Sequence, residues 1–324
     1  MTTMRVMAIL LSAVSTLLTL APLLRVKTGF VRVWDFPRPQ IAAAALLSVV
    51  LILVDEASSP SPWGFVMGAC ALCAFLYQVL HIAPYMPFCD LPSPSAEASH
   101  PEREFSILIA NVKAENNQYS RVERLIETCD PDIVLLLETG HAWRDGMESS
   151  IAKYPVRLIE PLDNYYGMIF LTRLETTERK ILHPVRHDIP AMEASFRLKS
   201  GFEFDFYGLH PIPPMPDQSS RERDTELKIV AAKVGERGRP AIVGGDLNDV
   251  AWSHTTQKFL ETSGMVDPRV GRGLYATFHA DYRFARWPLD HVFYSRDFRL
   301  IAMKVMPHIG SDHFPIFVRL QAPR

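Results

Sequence analysis

Apolar and polar residues alternate along this chain in two different ways. Up to about residue 83 they form long blocks: residues 7–24, 41–54 and 65–82 are almost wholly apolar and carry no Asp, Glu, Lys or Arg. The first and third have about the length of a membrane-spanning helix. The second is short for a span, so crossing thinly, lying in the interface and re-entering all stay open. Two or three transmembrane helices are expected in residues 1–83, with Trp63 and Tyr85 as interfacial anchors of the third block. Core helices of a soluble domain would carry a polar stripe that these blocks lack. The first block is followed by no convincing small-residue cleavage site, which argues against a removed signal peptide.

Residues 84–104 are rich in Pro, Ser and Ala and read as a linker. From residue 105 to the end, short apolar runs alternate with segments of helical period. Strands are expected at 105–112, 132–138, 167–172, 194–198, 202–209, 241–243, 290–294, 298–305 and 314–320. Helices are expected at 121–129, where Val122, Leu125 and Ile126 share a face, from Ser219 or Ser220 to about 234, and near 253–262. This mixture of hairpin and crossover connections suggests two packed sheets with helices outside.

Charge separates the two regions further. The first hundred residues hold equal numbers of basic and acidic side chains, so the net charge of −2 falls on the remainder. A broad basic footprint for polyanions is therefore absent, although a local patch is not excluded. Arg25, Lys27, Arg32 and Arg38 lie between the first two blocks, whereas only Asp55 and Glu56 lie between the second and third. The positive-inside rule puts the basic loop in the cytoplasm. With three spans, the domain after the linker is then cytoplasmic; if the second block does not cross, that parity reverses. Of the four cysteines only Cys129 follows the linker, so that domain has no internal disulfide. Cys70 and Cys73 have redox-motif spacing but sit inside an apolar block, where buried thiols on one helix face are the simpler reading.

Residues 241–248, Ala-Ile-Val-Gly-Gly-Asp-Leu-Asn, are the most informative stretch. An apolar strand runs into two glycines, expected to give a sharp turn with room beside it. Asp246 and Asn248 follow, two apart; if the strand persists, both point into one pocket. A carboxylate that takes a proton from water and an amide that holds a phosphate oxygen suit metal-assisted hydrolysis. Asn111, Glu138 and His210 end other strands, Asp290 opens one, and Ser311-Asp312-His313 precedes the last. Each has a structural explanation alone, but together they fit one site at the strand ends.

Residues 105–320 resemble the endonuclease/exonuclease/phosphatase superfamily. The resemblance rests on six motifs in order: Ile109-Ala-Asn111-Val112, Pro131 to Glu138, Gly208-Leu-His210-Pro211, Gly244-Gly-Asp246-Leu-Asn248, Trp287-Pro-Leu-Asp290-His291 and Ser311-Asp312-His313. It implies a four-layered α/β sandwich, two central mixed sheets flanked by helices, for residues 105–324. It also implies a divalent metal, Mg2+ or Mn2+, held by Glu138 with Asn111 and Asp312. In this reading Asp246 activates water and Asn248 holds the phosphate. His313 contacts a phosphate oxygen with Asp290 fixing its ring, and His210 is a second active-site histidine.

The expected protein is a monomeric, membrane-anchored, metal-dependent phosphoesterase acting on a phosphodiester, either a lipid headgroup or nucleic acid. Two other readings compete. Ser311, Asp312 and His313 contain the letters of a serine-hydrolase triad, but adjacent residues seldom converge and no Gly-x-Ser-x-Gly elbow exists. A catalytically silent membrane-anchored binding module would be free to lose acids and histidines that are all present here. Substrate choice is expected in loops 210–223 and 269–287, the second carrying Arg269, Arg272, Arg283 and Arg286.

Overall fold

The computed structural model describes the whole chain except residues 1, 2, 25, 93, 97, 98 and 216. Arg25 of the basic loop and Pro216 of loop 210–223 thus lie outside the described residues. The chain forms two compact units, Met1–Cys89 with Pro214–Arg221, and Asp90–Pro213 with Glu222–Arg324.

The first unit is built on three long helices, α1 (Thr3–Leu20), α3 (Arg38–Ser58) and α4 (Pro62–Ile82), with a short α2 (Gly29–Arg32) between the first two. All three have the length and apolarity needed to cross a membrane. The second apolar block, short in sequence, sits in a helix of 21 residues, about 30 Å at 1.5 Å per residue. Flanking residues such as Arg38, Asp55 and Glu56 supply the extra turns.

Packing in this unit is inverted relative to a water-soluble bundle. The buried residues of α1 are Ala8, Ser12, Ser15 and Thr19, while Leu10 and Leu17 on the same helix are 59% and 66% exposed. Small residues let helices approach closely, and hydroxyls bond across them: Ser12 Oγ donates to the Met67 carbonyl at 2.7 Å and Ser48 Oγ to that of Ala8 at 2.8 Å. Gln78 joins Thr19 to Arg38, and Arg38 also pairs with Asp35 at 2.6 Å. Polar-inside and apolar-outside is the arrangement lipid favours, because every polar group must find its partner within the protein.

The second unit holds two sheets. One has the strand order β10-β11-β1-β2-β4-β3 and the other β5-β6-β7-β8-β9. The strands are β1 (Glu104–Asn111), β2 (Ile133–Leu137), β3 (Val156–Glu160), β4 (Met168–Thr172), β5 (Glu175–Leu182), β6 (Ala191–Arg197), β7 (Glu203–Leu209), β8 (Ala241–Asp246), β9 (Asp290–Tyr294), β10 (Arg299–Val305) and β11 (Ile316–Gln321). Each sheet contains one parallel pair, β1 with β2 and β7 with β8, amid antiparallel neighbours. Helices α5 (Tyr119–Cys129), α6 (His141–Gly146) and α7 (Glu148–Ala152) follow β1 and β2. Helices α8 (Arg221–Arg237) and α9 (His254–Ser263) flank β8.

The core between the sheets is largely aromatic and branched. Phe105 of β1 stacks on Phe204 of β7 at 4.7 Å between ring centres, within a cluster that includes Ile107, Ile109, Phe170, Phe196, Phe206 and Ile242. Outer cores form where Val122, Leu125 and Ile126 of α5 meet the first sheet, and where Leu227, Val230 and Val234 of α8 meet the second. These are two mixed sheets flanked by helices, the architecture the motif order implies.

Three sequence expectations change. The charged strand β5 and the half-buried β3 had no usable alternation and were not expected; both are sheet edges. The two glycines make no turn: Gly244 and Gly245 lie inside β8. A Cβ on Gly244 would stand 2.5 Å from Ile109 Cδ1 of the opposite sheet, and one on Gly245, at φ +146°, would meet the Leu209 carbonyl oxygen at 1.9 Å. They allow close approach of backbone and sheets, not reversal. The linker is also partly engaged, with Ser95 bridged to Leu300 and the Ala96 N–H donating to the Leu300 carbonyl at 3.0 Å.

Candidate active site

Parallel pairing of β1 with β2 sets Asn111 opposite Leu137, so the next residue, Glu138, emerges beside Asn111. In the other sheet, antiparallel pairing sets Asp246, the last residue of β8, directly opposite Asp290, the first of β9. Like charges at facing positions repel. His313 relieves them: its Nδ1 is 2.8 Å from Asp290 Oδ2 and its Nε2 is 3.5 Å from Asp246 Oδ2. Burial alone would lower the pKa of this imidazole, but Asp290 and Asp246 outweigh it and push His313 up to about 10. The ring is therefore an imidazolium at neutral pH.

Asn111 ties the two sheets together at this point. Its Nδ2 donates to Glu138 Oε1 at 2.8 Å and to Asp246 Oδ2 at 3.1 Å. Glu138 takes a further bond from the Ala114 N–H at 3.2 Å, yet burial still raises its carboxyl above the usual range. Burial raises Asp246 likewise, against the attraction of His313. His210 lies on the other side of Asp246, Nε2 to Oδ2 3.8 Å, and burial lowers its pKa, so it is neutral. Asp312 is partly exposed and faces the Lys113 ammonium at 3.5 Å.

Asn248 reaches the site differently from the sequence expectation. β8 stops at Asp246, and Asn248 has a left-handed backbone, φ +51°. Its N–H bonds Asp246 Oδ1 at 2.9 Å, so a turn, not strand parity, brings the two together. Asn248 Nδ2 donates to the Pro211 carbonyl at 2.9 Å. Glu138 and Lys113 also have positive φ, +60° and +62°. Backbone in this region is costly for a residue with a side chain and gathers at functional sites.

All eight sequence-proposed residues thus lie at adjoining strand ends: hydrogen bonds or close approaches of polar atoms join seven of them through Asn111, Asp246 and His313, and Asp312 meets Lys113. Ser311 forms no triad: its Oγ accepts the His313 N–H at 3.0 Å, while the His313 ring faces Asp290 and Asp246. Arg269 is not a substrate-loop cation either; it is buried against Asp267 and His291. Sequence reasoning missed Lys113, directly after Asn111-Val112. It also missed Arg223, whose guanidinium holds the Asn248 carbonyl at 2.9 Å. Phe278, whose ring lies 4.8 Å from that of His313, went unnoticed too. Adjacency to a motif was the signal for Lys113; Phe278 lies in the expected loop 269–287 and Arg223 at the end of loop 210–223, which the structure shows to be the start of α8, but neither was singled out.

The donor set fits a divalent cation. Four carboxyl groups, Glu138, Asp246, Asp290 and Asp312, meet the His313 ring and the Lys113 ammonium, an oxygen-rich donor set with no thiolate. One ligand atom each from Asp246, Asp290 and His313 lie within 4.8 Å of one another. However, a protonated His313 has no lone pair to give, so within that group the ligands are the oxygens of Asp246 and Asp290.

Residues 108–313 match the profile of the endonuclease/exonuclease/phosphatase family. The chain belongs to that family. Its members are nucleases and phosphoesterases. Among solved structures it resembles a family protein of Bacteroides thetaiotaomicron, with 18% identity over 68% of this chain and 98% of that one and a TM-score of 0.57. A humanised D. rerio TDP2 matches at 18% identity over 68% and 100%, TM-score 0.56. A mannosyl-6-phosphatase of B. thetaiotaomicron matches at 19% identity over 67% and 99%, TM-score 0.52. At such identities the likeness shows the fold alone. No curated protein sequence matches significantly.

Proposed function

We propose that this family member is a membrane-anchored, divalent-metal-dependent phosphodiesterase that attacks its substrate with an activated water. The observation that carries the reading is the His313 imidazolium held between Asp290 and Asp246, where Asn111 joins Asp246 to Glu138. Glu138, Asn111 and Asp312 would hold magnesium or manganese, which supplies positive charge to the phosphoryl oxygens.

The chain's own groups do the rest. Asp246, its basicity raised by burial, accepts a proton from the attacking water. Asn248 keeps one amide N–H for a phosphate oxygen while the other bonds Pro211. His313 donates from Nε2 to a phosphate oxygen as charge builds there, and Asp290 fixes its ring. Neutral His210 offers a further donor beside Asp246. Phosphorus gains the water oxygen and loses the ester oxygen, which leaves as an alcohol after taking a proton from solvent, while Asp246 returns the water's proton to solvent.

The inverted packing of α1, α3 and α4 supports anchoring. Three spans, with Lys27, Arg32 and Arg38 between the first and second, support a cytoplasmic catalytic domain. The preferred substrate in this reading is a lipid headgroup phosphodiester ahead of nucleic acid. The anchor raises the effective concentration of anything in the bilayer, and the near-neutral soluble part lacks the basic footprint of nucleic-acid binders. Assaying phospholipid vesicles against plasmid DNA with full-length protein tests this. DNA cleavage without phospholipid hydrolysis would make it a membrane-anchored nuclease.

A further inference from the structure

Loop 277–287 doubles back as a narrow hairpin at the edge of the site. The Phe278 N–H donates to the Trp287 carbonyl at 3.0 Å and the His279 N–H to that of Ala285 at 3.0 Å. The Arg286 guanidinium closes it on the Ala280 carbonyl at 2.8 Å and lies over the Phe314 ring at 4.8 Å. Its base is fastened to the site itself. The Ala280 N–H donates to the Asp312 carbonyl at 2.6 Å, and Phe278 packs on His313.

At the tip, Tyr282, Arg283 and Phe284 stand in solvent. Tyr282 is 62% exposed and Phe284 91%, more than any other large apolar side chain among the described residues, the outward leucines of α1, α3 and α4 included. A phenylalanine held this far out on a hairpin this well tied leaves most of its apolar surface to water, at a hydrophobic cost.

We propose that the Tyr282–Arg283–Phe284 tip seats in the interfacial layer of a phospholipid bilayer. The proposal rests on the membrane-anchored reading above. The chain carries three helices able to cross a membrane, and the segment from there to β1 is a short linker, with a reach of at most a few tens of ångströms. The domain is thus confined near a bilayer. The tip has the composition of an interfacial anchor: Phe for the acyl boundary, Tyr for the headgroup level and Arg for lipid phosphate. A stacking platform for nucleobases would use the same aromatic faces, but it also needs a basic groove along a backbone, and the soluble part carries no net positive charge. Because the hairpin base is bonded to Asp312 and packed on His313, seating the tip bears on the groups that would meet the substrate.

The test uses full-length protein reconstituted in phosphatidylcholine–phosphatidylglycerol nanodiscs, with Phe284→Trp compared with wild type by difference emission, since the chain has 5 native tryptophans. The expected result is extra emission that is blue-shifted and quenched by about half or more when the acyl chains are brominated. Extra emission at the water-exposed wavelength, untouched by brominated lipid, overturns the proposal. Quenching only on addition of a single-stranded oligonucleotide overturns it too, and marks the tip as a base-stacking surface. No arm needs turnover, so the outcome is independent of whether the phosphodiesterase reading holds.

Discussion

The carboxylate of Asp290 accepts a 2.8 Å hydrogen bond from Nδ1 of His313. Through it the imidazolium stays charged in a site where burial alone would discharge it. Removing that carboxylate leaves burial opposed by less, so the folded-state pKa falls. In wild type the cation persists until pH rises towards about 10, and activity that needs it is lost only at alkaline pH. Asp290→Asn should move the alkaline limb of the pH–rate profile down by about one unit or more. An unmoved limb would mean that His313 is not the group being held.

Asp246→Asn and His313→Ala should each lower turnover at least about a hundredfold, the scale for positioned proton-transfer and electrostatic groups. Both residues are buried, so circular dichroism and melting must accompany the rates. A folded variant with near wild-type turnover removes that residue from the mechanism.

Glu226 of α8 offers a separate test of the second unit. Burial raises its carboxyl to about 8, and its Oε1 has no hydrogen-bond partner. The folded state thus holds a proton that the unfolded state releases near the ordinary value of 4.5. This contribution to stability is fully present below pH 4.5 and is lost as pH rises towards 8, at up to about 1.4 kcal/mol per unit. Melting of the detergent-solubilised protein should show the decline, and Glu226→Gln should flatten it and raise the melting temperature at pH 8. A parallel decline in both proteins would place the cause elsewhere.

Much of this was legible in the sequence for a physical reason: central strands are buried on both faces. Runs such as 133–137 and 241–243 therefore stand out as apolar, and Glu138 and Asp246 come directly or shortly after them. Edge strands bury little, so β5, Glu175–Leu182, carries mostly polar and charged residues and left no pattern. The Asp246–Asp290 confrontation depends on β8–β9 register, which no local signal encodes. Gly244 and Gly245 were visible, but their purpose was not, because it depends on Ile109 and Leu209 from other strands. Arg223 and Phe278 act on the site from a helix and a loop, where nothing in periodicity points to them.

The position of the carboxyl terminus tests the topology. A reporter fused after Arg324 should be active when cytoplasmic folding is required. Activity confined to an extracytoplasmic reporter would reverse the orientation, the result expected if the second block does not cross.

The central claim is that the Asn111–Glu138–Asp246–Asp290–Asp312–His313 cluster hydrolyses a lipid phosphodiester with a divalent metal. The most direct measurement is release of phosphorylated headgroup or its diacyl partner from mixed phospholipid vesicles by full-length protein. It is made in excess chelator and after magnesium or manganese is restored, with Glu138→Gln alongside. The account predicts no release in chelator, recovery with either metal, and little recovery in Glu138→Gln. Release that continues unchanged in excess chelator, or no release from any phospholipid while DNA is cut, would contradict it.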